Sequence, residues 1–146
     1  MPKNKCPFCT PQIENRVIYE NNSARLILTQ DAINPGQALV LSKRHVATLI
    51  ELNDNELIEM YLLAKKVAEI FIKTFSYDGV NLLLNSGTAA GQIVHHSHIH
   101  VVPRITGDVP IAREWLNPVL QQKEYEPDQT ELLHYSKIFK NELEKS

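Results

Sequence analysis

The chain has 146 residues, which fits one domain that can bury a hydrophobic core without disulfide bonds. Its formal charge is −2 and 22% of its residues are charged, which excludes the general basic field of a protein held by the nucleic-acid backbone. No stretch has the length and apolarity of a membrane span, and the first residues lack the apolar core of a signal peptide. A cytoplasmic protein without nucleic-acid or membrane partners is therefore expected.

Both cysteines of the chain, Cys6 and Cys9, form a CxxC motif near the N-terminus. Two thiolates at this spacing can share a tetrahedral zinc ion, which would need two more ligands from elsewhere. A thioredoxin-like redox pair would require a preceding strand and a helix that starts at the second cysteine, whereas Pro11 and polar residues follow. The motif alone leaves zinc, redox and inert interpretations open.

The next segment predicts short strands at residues 17–19 and 25–28, joined by a turn, in a hairpin pattern. A second turn, Asn34-Pro35-Gly36, precedes a buried strand at residues 38–41. His45 follows the end of that strand. A histidine in this position is usually solvated, but beside half of a zinc site and a histidine cluster it becomes a candidate ligand.

The clearest helix is predicted from Asn53 to about Phe75, with Asn53 and Glu56 in a capping-box arrangement. Apolar residues recur at the helical period and are interpreted as core: Leu57, Met60, Tyr61, Ala64, Val67, Ala68, Phe71 and Phe75. A subunit interface or a second layer within the monomer would cover the apolar residues outside this stripe, which are Leu62, Leu63, Ile70 and Ile72.

A buried strand is predicted at residues 80–84, followed by a loop of small residues from Asn85 to Gln92. Small residues let the backbone approach a ligand, and the two amide side chains could bind it, although an ordinary hairpin loop is the alternative. Beyond the histidine cluster, residues 106–110 are predicted to form a loop. A final helix is predicted to open at Asp128, with Glu131 in its first turn.

Four of the six histidines lie within six residues, and three of them, His96, His98 and His100, are spaced by two. The flanking residues suit a strand, in which residues spaced by two point to the same side, so three imidazoles would line one face about 6.6 Å apart. Such rings could hold an anion or a phosphoryl centre, whereas His95 would point to the other face. The alternative is a polar strand exposed to water.

A neutral imidazole that attacks phosphorus forms a phosphoramidate and splits a nucleotidyl transfer into two easier displacements. Such a nucleophile needs one free nitrogen, the other nitrogen tied as a donor to a carbonyl, and nearby donors that hold the phosphate oxygens. His98, the middle residue, is best placed for attack, with His100 beside it as a ligand of the phosphate oxygens.

The run His96-Ser97-His98-Ile99-His100-Val101-Val102 resembles the mark of the histidine triad (HIT) family. The resemblance extends from Cys6 to about Arg104 and includes the order of CxxC, hairpin, strand with His45, long helix and small-residue loop. It implies an α+β fold: a five-stranded antiparallel sheet with one long helix, followed here by the C-terminal helix. A single HIT-like domain would span residues 1–146, with a core of about 6–104 and a C-terminal extension at 105–146, and homodimers are usual in the family.

The resemblance implies an enzyme that cleaves nucleotides at the α-phosphorus through a covalent nucleotidyl-histidine. Its substrates would be dinucleoside polyphosphates or nucleoside phosphoramidates, with water or phosphate as the acceptor. By motif position, His98 is the nucleophile, His100 a phosphate ligand, and the main-chain carbonyl of His96 orients the ring of His98. Asn85 and Gln92 match amides that contact the phosphates or the leaving group. The alternative is a nucleotide-binding or signalling module with negligible turnover.

The resemblance to zinc-containing members also implies a structural zinc ion. Its four protein ligands would be Cys6, Cys9, His45 and His96, which leaves no open position for water. A hydrolase that uses metal-bound water, the third hypothesis, would need such a position.

The sequence departs from the family pattern at three positions, and Ser97, on the face turned away from the phosphate, is the mildest of these departures. Thr29 occupies the position where many members have an Asp that binds the ribose hydroxyls, and Asp31 follows two residues later. Ile93 replaces a common Ser or Thr that would contact the leaving group, and Ser97 replaces an apolar residue. The Asn34-Pro35-Gly36 turn and the strand exit at residues 101–104 are more similar to members that cleave diadenosine polyphosphates.

Overall fold

The computed structural model describes residues 2–108 and 126–145. Within them, five strands form one antiparallel sheet in the order β1-β2-β3-β5-β4. The strands are β1 (Tyr19–Glu20), β2 (Ala24–Leu28), β3 (Ala38–Ser42), β4 (Gly79–Leu83) and β5 (His98–Arg104), and the helices are α1 (Asp54–Lys73) and α2 (Gln129–Glu144). The predicted α+β fold, with its long helix and its C-terminal helix, is confirmed.

Helix α1 covers one face of the sheet and forms the main core with it. Asn53 caps its start: the Asn53 side chain accepts a hydrogen bond from the Glu56 amide, and Glu56 accepts one from the Asn53 amide. The predicted stripe is rotated in the structure, because Leu63 and Ile70 are buried and Tyr61 is exposed. At 100° per residue, only a contiguous arc of the helix can face the sheet, and sequence periodicity does not define its centre.

The opposite face of the sheet is covered by the N-terminal segment. A 3₁₀ helix, Pro11–Arg16, places Ile13 against a second apolar cluster that contains Ile27, Leu39 and Leu41. In the pairing of β3 with β5, Leu41 lies opposite His98 and Leu39 lies opposite His100. Directly opposed residues share a face of the sheet, so this face carries both histidines.

Two strand predictions differ from the structure. β4 is a half-exposed edge strand rather than a buried one, because it pairs only with β5 and its Leu82 side chain is open on the outer side. The histidine run enters the sheet only at His98, so His96 and Ser97 precede β5 and the three imidazoles do not line one strand face.

Helix α2 begins as predicted, because the Asp128 side chain accepts a hydrogen bond from the Glu131 amide. Its Phe139 and Leu143 are buried in the main core. The predicted loop at residues 106–110 is described as far as Asp108, and the remainder lies outside the described residues. Among the described residues, no helix is both long and apolar enough to cross a membrane.

Candidate functional site

Two cysteines and two histidines from distant parts of the chain converge at one end of the sheet. Cys6 and Cys9 come from the N-terminal turn, His45 follows β3, and His96 precedes β5. The Nδ1 atom of His96 lies 3.4 Å from each sulfur and 3.3 Å from His45 Nδ1, which itself lies 3.3 Å from Cys9 Sγ. All four ligand atoms lie within 4.8 Å of one another.

These separations fit a tetrahedral zinc ion. With Zn–S bonds of about 2.3 Å and Zn–N bonds of about 2.0 Å, tetrahedral ligand atoms are about 3.3–3.8 Å apart. The Nε2–H group of His96 donates a hydrogen bond to the Ser42 carbonyl at 2.7 Å, which fixes the tautomer with a bare Nδ1 facing the cluster. Such a bond from the outer nitrogen to a carbonyl is the usual partner of a metal-bound histidine.

The two thiols lie so close together that ionising both is costly unless a cation binds them. Burial and the neighbouring Cys6 raise the pKa of the Cys9 thiol to about 11, and both cysteines are free of disulfide bonds. Two adjacent thiolates repel each other, and a divalent cation removes that cost because it holds both in the ionised form. The donor set and its charge therefore match zinc.

The ring of His98 is held directly beside this cluster. Its Nδ1–H group donates a hydrogen bond to the main-chain carbonyl of His96 at 2.7 Å, and the side chain is almost completely buried. Because Nδ1 carries the proton, the neutral ring has a free lone pair on Nε2. Burial lowers the pKa of His98, which favours this neutral form. The ring thus has the protonation pattern of a nucleophile.

His100 is the next residue on the same face of β5, and its ring centroid lies 4.9 Å from that of His98. Burial, and secondarily the charge of His98, lower the pKa of His100 to about 4, so the ring is neutral at neutral pH. The structure brings the rings of His98 and His100 together, while His96 contributes its side chain to the cluster with Cys6, Cys9 and His45 and its carbonyl to His98.

The two amide side chains of the small-residue loop, Asn85 and Gln92, are both engaged in hydrogen bonds. Asn85 donates a hydrogen bond to the Gly91 carbonyl at 3.4 Å. Gln92 is buried: its oxygen accepts from the Gly87 amide at 2.7 Å, and its nitrogen donates to the Ala47 and Val94 carbonyls. The Gln92 amide therefore ties the loop to the segment after His45 and would have to give up a bond to bind a ligand.

Thr29 lies just beyond β2, where its hydroxyl donates a hydrogen bond to the Asp31 carbonyl and accepts one from the Asp31 amide. The Thr29 hydroxyl thus closes a local turn, and Asp31 is exposed. Ile93, which replaces the expected hydroxyl residue, is also exposed.

One site residue was missed in the sequence analysis. The ring centroid of Phe8 lies 5.4 Å from that of His98 and 5.8 Å from that of His96. The available signal was its position between Cys6 and Cys9, because a residue enclosed by two candidate ligands lies close to the side chains that surround them.

Comparison with known proteins agrees with this geometry. The family profile described as "HIT domain" matches residues 10–107, so the chain belongs to the HIT domain family. An uncharacterised HIT-like protein of Methanocaldococcus jannaschii is 34% identical over 111 residues, which cover 74% of this chain and 85% of that protein.

Two further similarities concern substrate and metal. An asymmetrical bis(5'-nucleosyl)-tetraphosphatase of Schizosaccharomyces pombe is 32% identical over 108 residues, which cover 74% of this chain and 59% of that protein. The crystal structure of a zinc-bound histidine triad family protein from Mycobacterium smegmatis superposes with a TM-score of 0.76 at 25% identity, covering 99% of this chain and 96% of that one. The chain thus belongs to a family that includes nucleotide hydrolases, and one zinc-bound member of the histidine triad family shares its fold.

Proposed function

We propose that this protein is a nucleotide hydrolase or transferase that cleaves its substrate at the α-phosphorus, with His98 as the nucleophile. The observation that carries the proposal is the 2.7 Å hydrogen bond from His98 Nδ1–H to the His96 carbonyl, because it leaves the lone pair of Nε2 free for attack. The neutral ring of His100 beside it supplies a donor for the phosphate oxygens.

The reaction consists of two displacements. In the first, Nε2 of His98 attacks the α-phosphorus and a P–N bond forms. The bond from phosphorus to the leaving group breaks, at the bridging oxygen of a dinucleoside polyphosphate or at the nitrogen of a phosphoramidate, and the leaving group departs with the electron pair. The imidazolium that results is stabilised by its hydrogen bond to the His96 carbonyl. In the second, water or phosphate attacks the same phosphorus and the P–N bond breaks, so its electron pair returns to Nε2 and the neutral His98 ring is regenerated, while the proton of an attacking water passes to solvent.

The substrate class is proposed as dinucleoside polyphosphates, with nucleoside phosphoramidates as the second class. The similarity to the Schizosaccharomyces pombe tetraphosphatase supports the first class. In this proposal Asn85 and Gln92 contact the phosphates or the leaving group from the small-residue loop, and Thr29 contacts the ribose. Because Gln92 is engaged in the free protein, its contact would require a rearrangement of the loop.

Zinc is proposed as the resident metal, bound by Cys6, Cys9, His45 and His96. When bound, it would cross-link the N-terminal turn to the segments around β3 and β5, which supports the fold. The four protein ligands fill a tetrahedral shell, so the proposal assigns zinc a structural role and separates it from a hydrolase that uses metal-bound water.

A homodimer is proposed as well, because apolar side chains are exposed along the outer side of α1 and on the edge strand β4: Ile58, Leu62, Ile72 and Leu82. A second copy would cover these side chains. Light scattering after size-exclusion chromatography should give twice the chain mass for the wild type and the chain mass for Leu62→Glu. A wild-type monomer at micromolar concentration would refute the dimer.

The decisive experiment is single-turnover trapping of the nucleotidyl adduct. Excess protein is mixed with radiolabelled diadenosine tetraphosphate, diadenosine triphosphate or adenosine 5'-phosphoramidate, quenched, and analysed by mass spectrometry for an adenylyl group on His98. The proposal predicts an adduct and its release as AMP, or as ADP when phosphate is the acceptor. Tight binding without an adduct would instead support a nucleotide-binding or signalling module. This is the second candidate because Gln92, the amide proposed to contact the leaving group, has its side chain engaged in three hydrogen bonds within the protein.

A further inference from the structure

Phe8 contacts two histidine rings that have different proposed roles. Its ring meets His96, a proposed metal ligand, at an interplanar angle of 82°, and meets His98, the proposed nucleophile, at 72°. Both contacts are edge-to-face, which is a preferred arrangement for ring pairs. The phenyl ring also packs against an apolar cluster on this face of the sheet, which restricts the position of the ring. The cluster consists of Ile13, Ile27, Leu39 and Leu41.

The hydrogen bond to the His96 carbonyl does not by itself fix the direction of the His98 lone pair. That bond sets the tautomer through Nδ1. A single hydrogen bond still allows the ring to rotate about Nδ1, and such a rotation displaces Nε2, which lies on the other side of the ring. A nucleophile must be aligned with the bond that it breaks, and small misalignments cost large factors in rate. The Phe8 ring lies against one side of the His98 ring and limits this rotation. The centroid of the His100 ring lies 4.9 Å from that of the His98 ring.

The position of Phe8 is set by its neighbours in the chain. The Cys9 amide donates a hydrogen bond to the Cys6 carbonyl at 3.0 Å, which closes the turn that carries Phe8. The sulfurs of both cysteines lie 3.4 Å from His96 Nδ1. A metal ion that joins these three atoms would hold the turn on both sides of Phe8 and, with it, the ring that contacts His98.

We propose that Phe8 is a positioning residue, through which the metal-binding turn holds the His98 imidazole in the orientation needed for attack. The structural metal site and the reaction centre are then coupled by one aromatic side chain in addition to the His96 backbone. This inference deepens the proposed function, on which it rests.

The first test compares Phe8→Leu with Phe75→Leu, the same chemical change in a ring that packs against Phe71 and Phe139 on the other side of the sheet. Phe8→Leu should lower the single-turnover rate of adduct formation about tenfold, while the KM for diadenosine tetraphosphate changes less than twofold. Phe8→Tyr, which keeps the ring, should restore the rate, and Phe75→Leu should leave it unchanged. A raised KM with an unchanged rate in Phe8→Leu would assign Phe8 to substrate binding and overturn the proposal.

The second test does not depend on activity. In protein labelled with ¹⁵N histidine, the His98 ring should give sharp signals of a single Nδ1–H tautomer in the zinc-loaded wild type. These signals should broaden in zinc-loaded Phe8→Leu and in zinc-free wild type, while the backbone amide spectrum reports that α1 stays folded. Zinc content is measured in every sample. Identical, sharp His98 signals in the three samples would refute a positioning role.

The two tests separate this inference from the proposed function. If the wild type forms no adduct but the His98 signals respond to Phe8→Leu, the proposed reaction fails and the positioning contact stands. If the wild type forms an adduct at the same rate as Phe8→Leu, the reaction stands and Phe8 has no positioning role.

Discussion

The main-chain carbonyl of His96 accepts a hydrogen bond from His98 Nδ1–H at 2.7 Å, while the His96 ring lies in the cluster with Cys6, Cys9 and His45. One residue therefore belongs to two clusters, its side chain to the proposed metal site and its backbone to the proposed reaction centre. Three contacts define the position of His96: its Nε2–H group donates to the Ser42 carbonyl, its main-chain carbonyl accepts from His98, and its Nδ1 atom lies in the cluster. Its side chain is almost fully inaccessible to solvent.

Replacement of His98 by Ala should remove the chemistry and leave the fold. The variant loses the nucleophile, so adduct formation and AMP release should fall by about a thousandfold or more. Nucleotide binding, measured by calorimetry, should change little, because the other donors stay in place. His95→Ala is the matched control, since it removes the same side chain outside the cluster and outside β5. Adduct formation in His98→Ala near the wild-type rate would exclude His98 as the nucleophile.

Replacement of Cys9 by Ser should act on stability first. Cys9 Sγ lies within 3.4 Å of both His45 Nδ1 and His96 Nδ1, so the change removes one of four donors and lowers zinc affinity. We expect a melting temperature about 10 °C below that of the zinc-loaded wild type, and zinc content well below one ion per chain. A chelator should lower the wild-type melting temperature to a similar value and leave that of Cys9→Ser unchanged. A wild type that holds no zinc after purification in zinc-containing medium would contradict the assignment.

Local signals in the sequence predicted much of the fold. The starts of both helices were predictable because a capping side chain and its partner lie three residues apart, as with Asn53 and Glu56. The exposure of β4 was not predictable, because the same apolar sequence pattern occurs in central strands and in edge strands. That difference depends on strand order, which places β5 between β3 and β4.

In the candidate site, too, some features were predictable from the sequence and others depended on the fold. The CxxC motif indicated half of a possible zinc site, and the resemblance to the HIT family supplied His45 and His96 as the other two candidate donors. The contact of Phe8 with His98 joins residues that are distant in the chain, so the sequence indicated it only indirectly, through the position of Phe8 between Cys6 and Cys9. Likewise, the bond from Gln92 to the Ala47 carbonyl spans 45 residues, and only the fold shows that this amide is engaged.

Stability should fall in mild acid because His100 is held neutral. Its pKa is lowered from 6.5 to about 4, chiefly by burial, so the unfolded chain takes up the proton first as the pH falls. The stability that depends on the neutral ring is complete above about pH 6.5 and is lost toward pH 4, amounting to roughly 2 to 3 kcal/mol. Urea unfolding should show His100→Gln losing less stability than wild type between pH 7 and pH 4.5. The exposed His134→Gln serves as the control, and parallel pH profiles for wild type and His100→Gln would contradict the prediction.

The docking of α2 can be tested at Gly36, whose backbone has a φ of +82°. A Cβ added there would lie 2.7 Å from Cε1 of Tyr135, so Gly36→Ala combines an unfavourable backbone conformation with a clash against the helix. We expect a loss of about 3 kcal/mol in the free energy of unfolding, measured by urea denaturation. Gly91→Ala is the matched control: its backbone is left-handed with a φ of +83°, and an added Cβ would make only an ordinary contact, 3.5 Å from Nδ2 of Asn85. It should lose only about 1 kcal/mol. In a double-mutant cycle, Tyr135→Ala should remove the part of the Gly36→Ala loss in unfolding free energy that comes from the clash. Strictly additive losses would show that Tyr135 does not pack against the turn at Gly36.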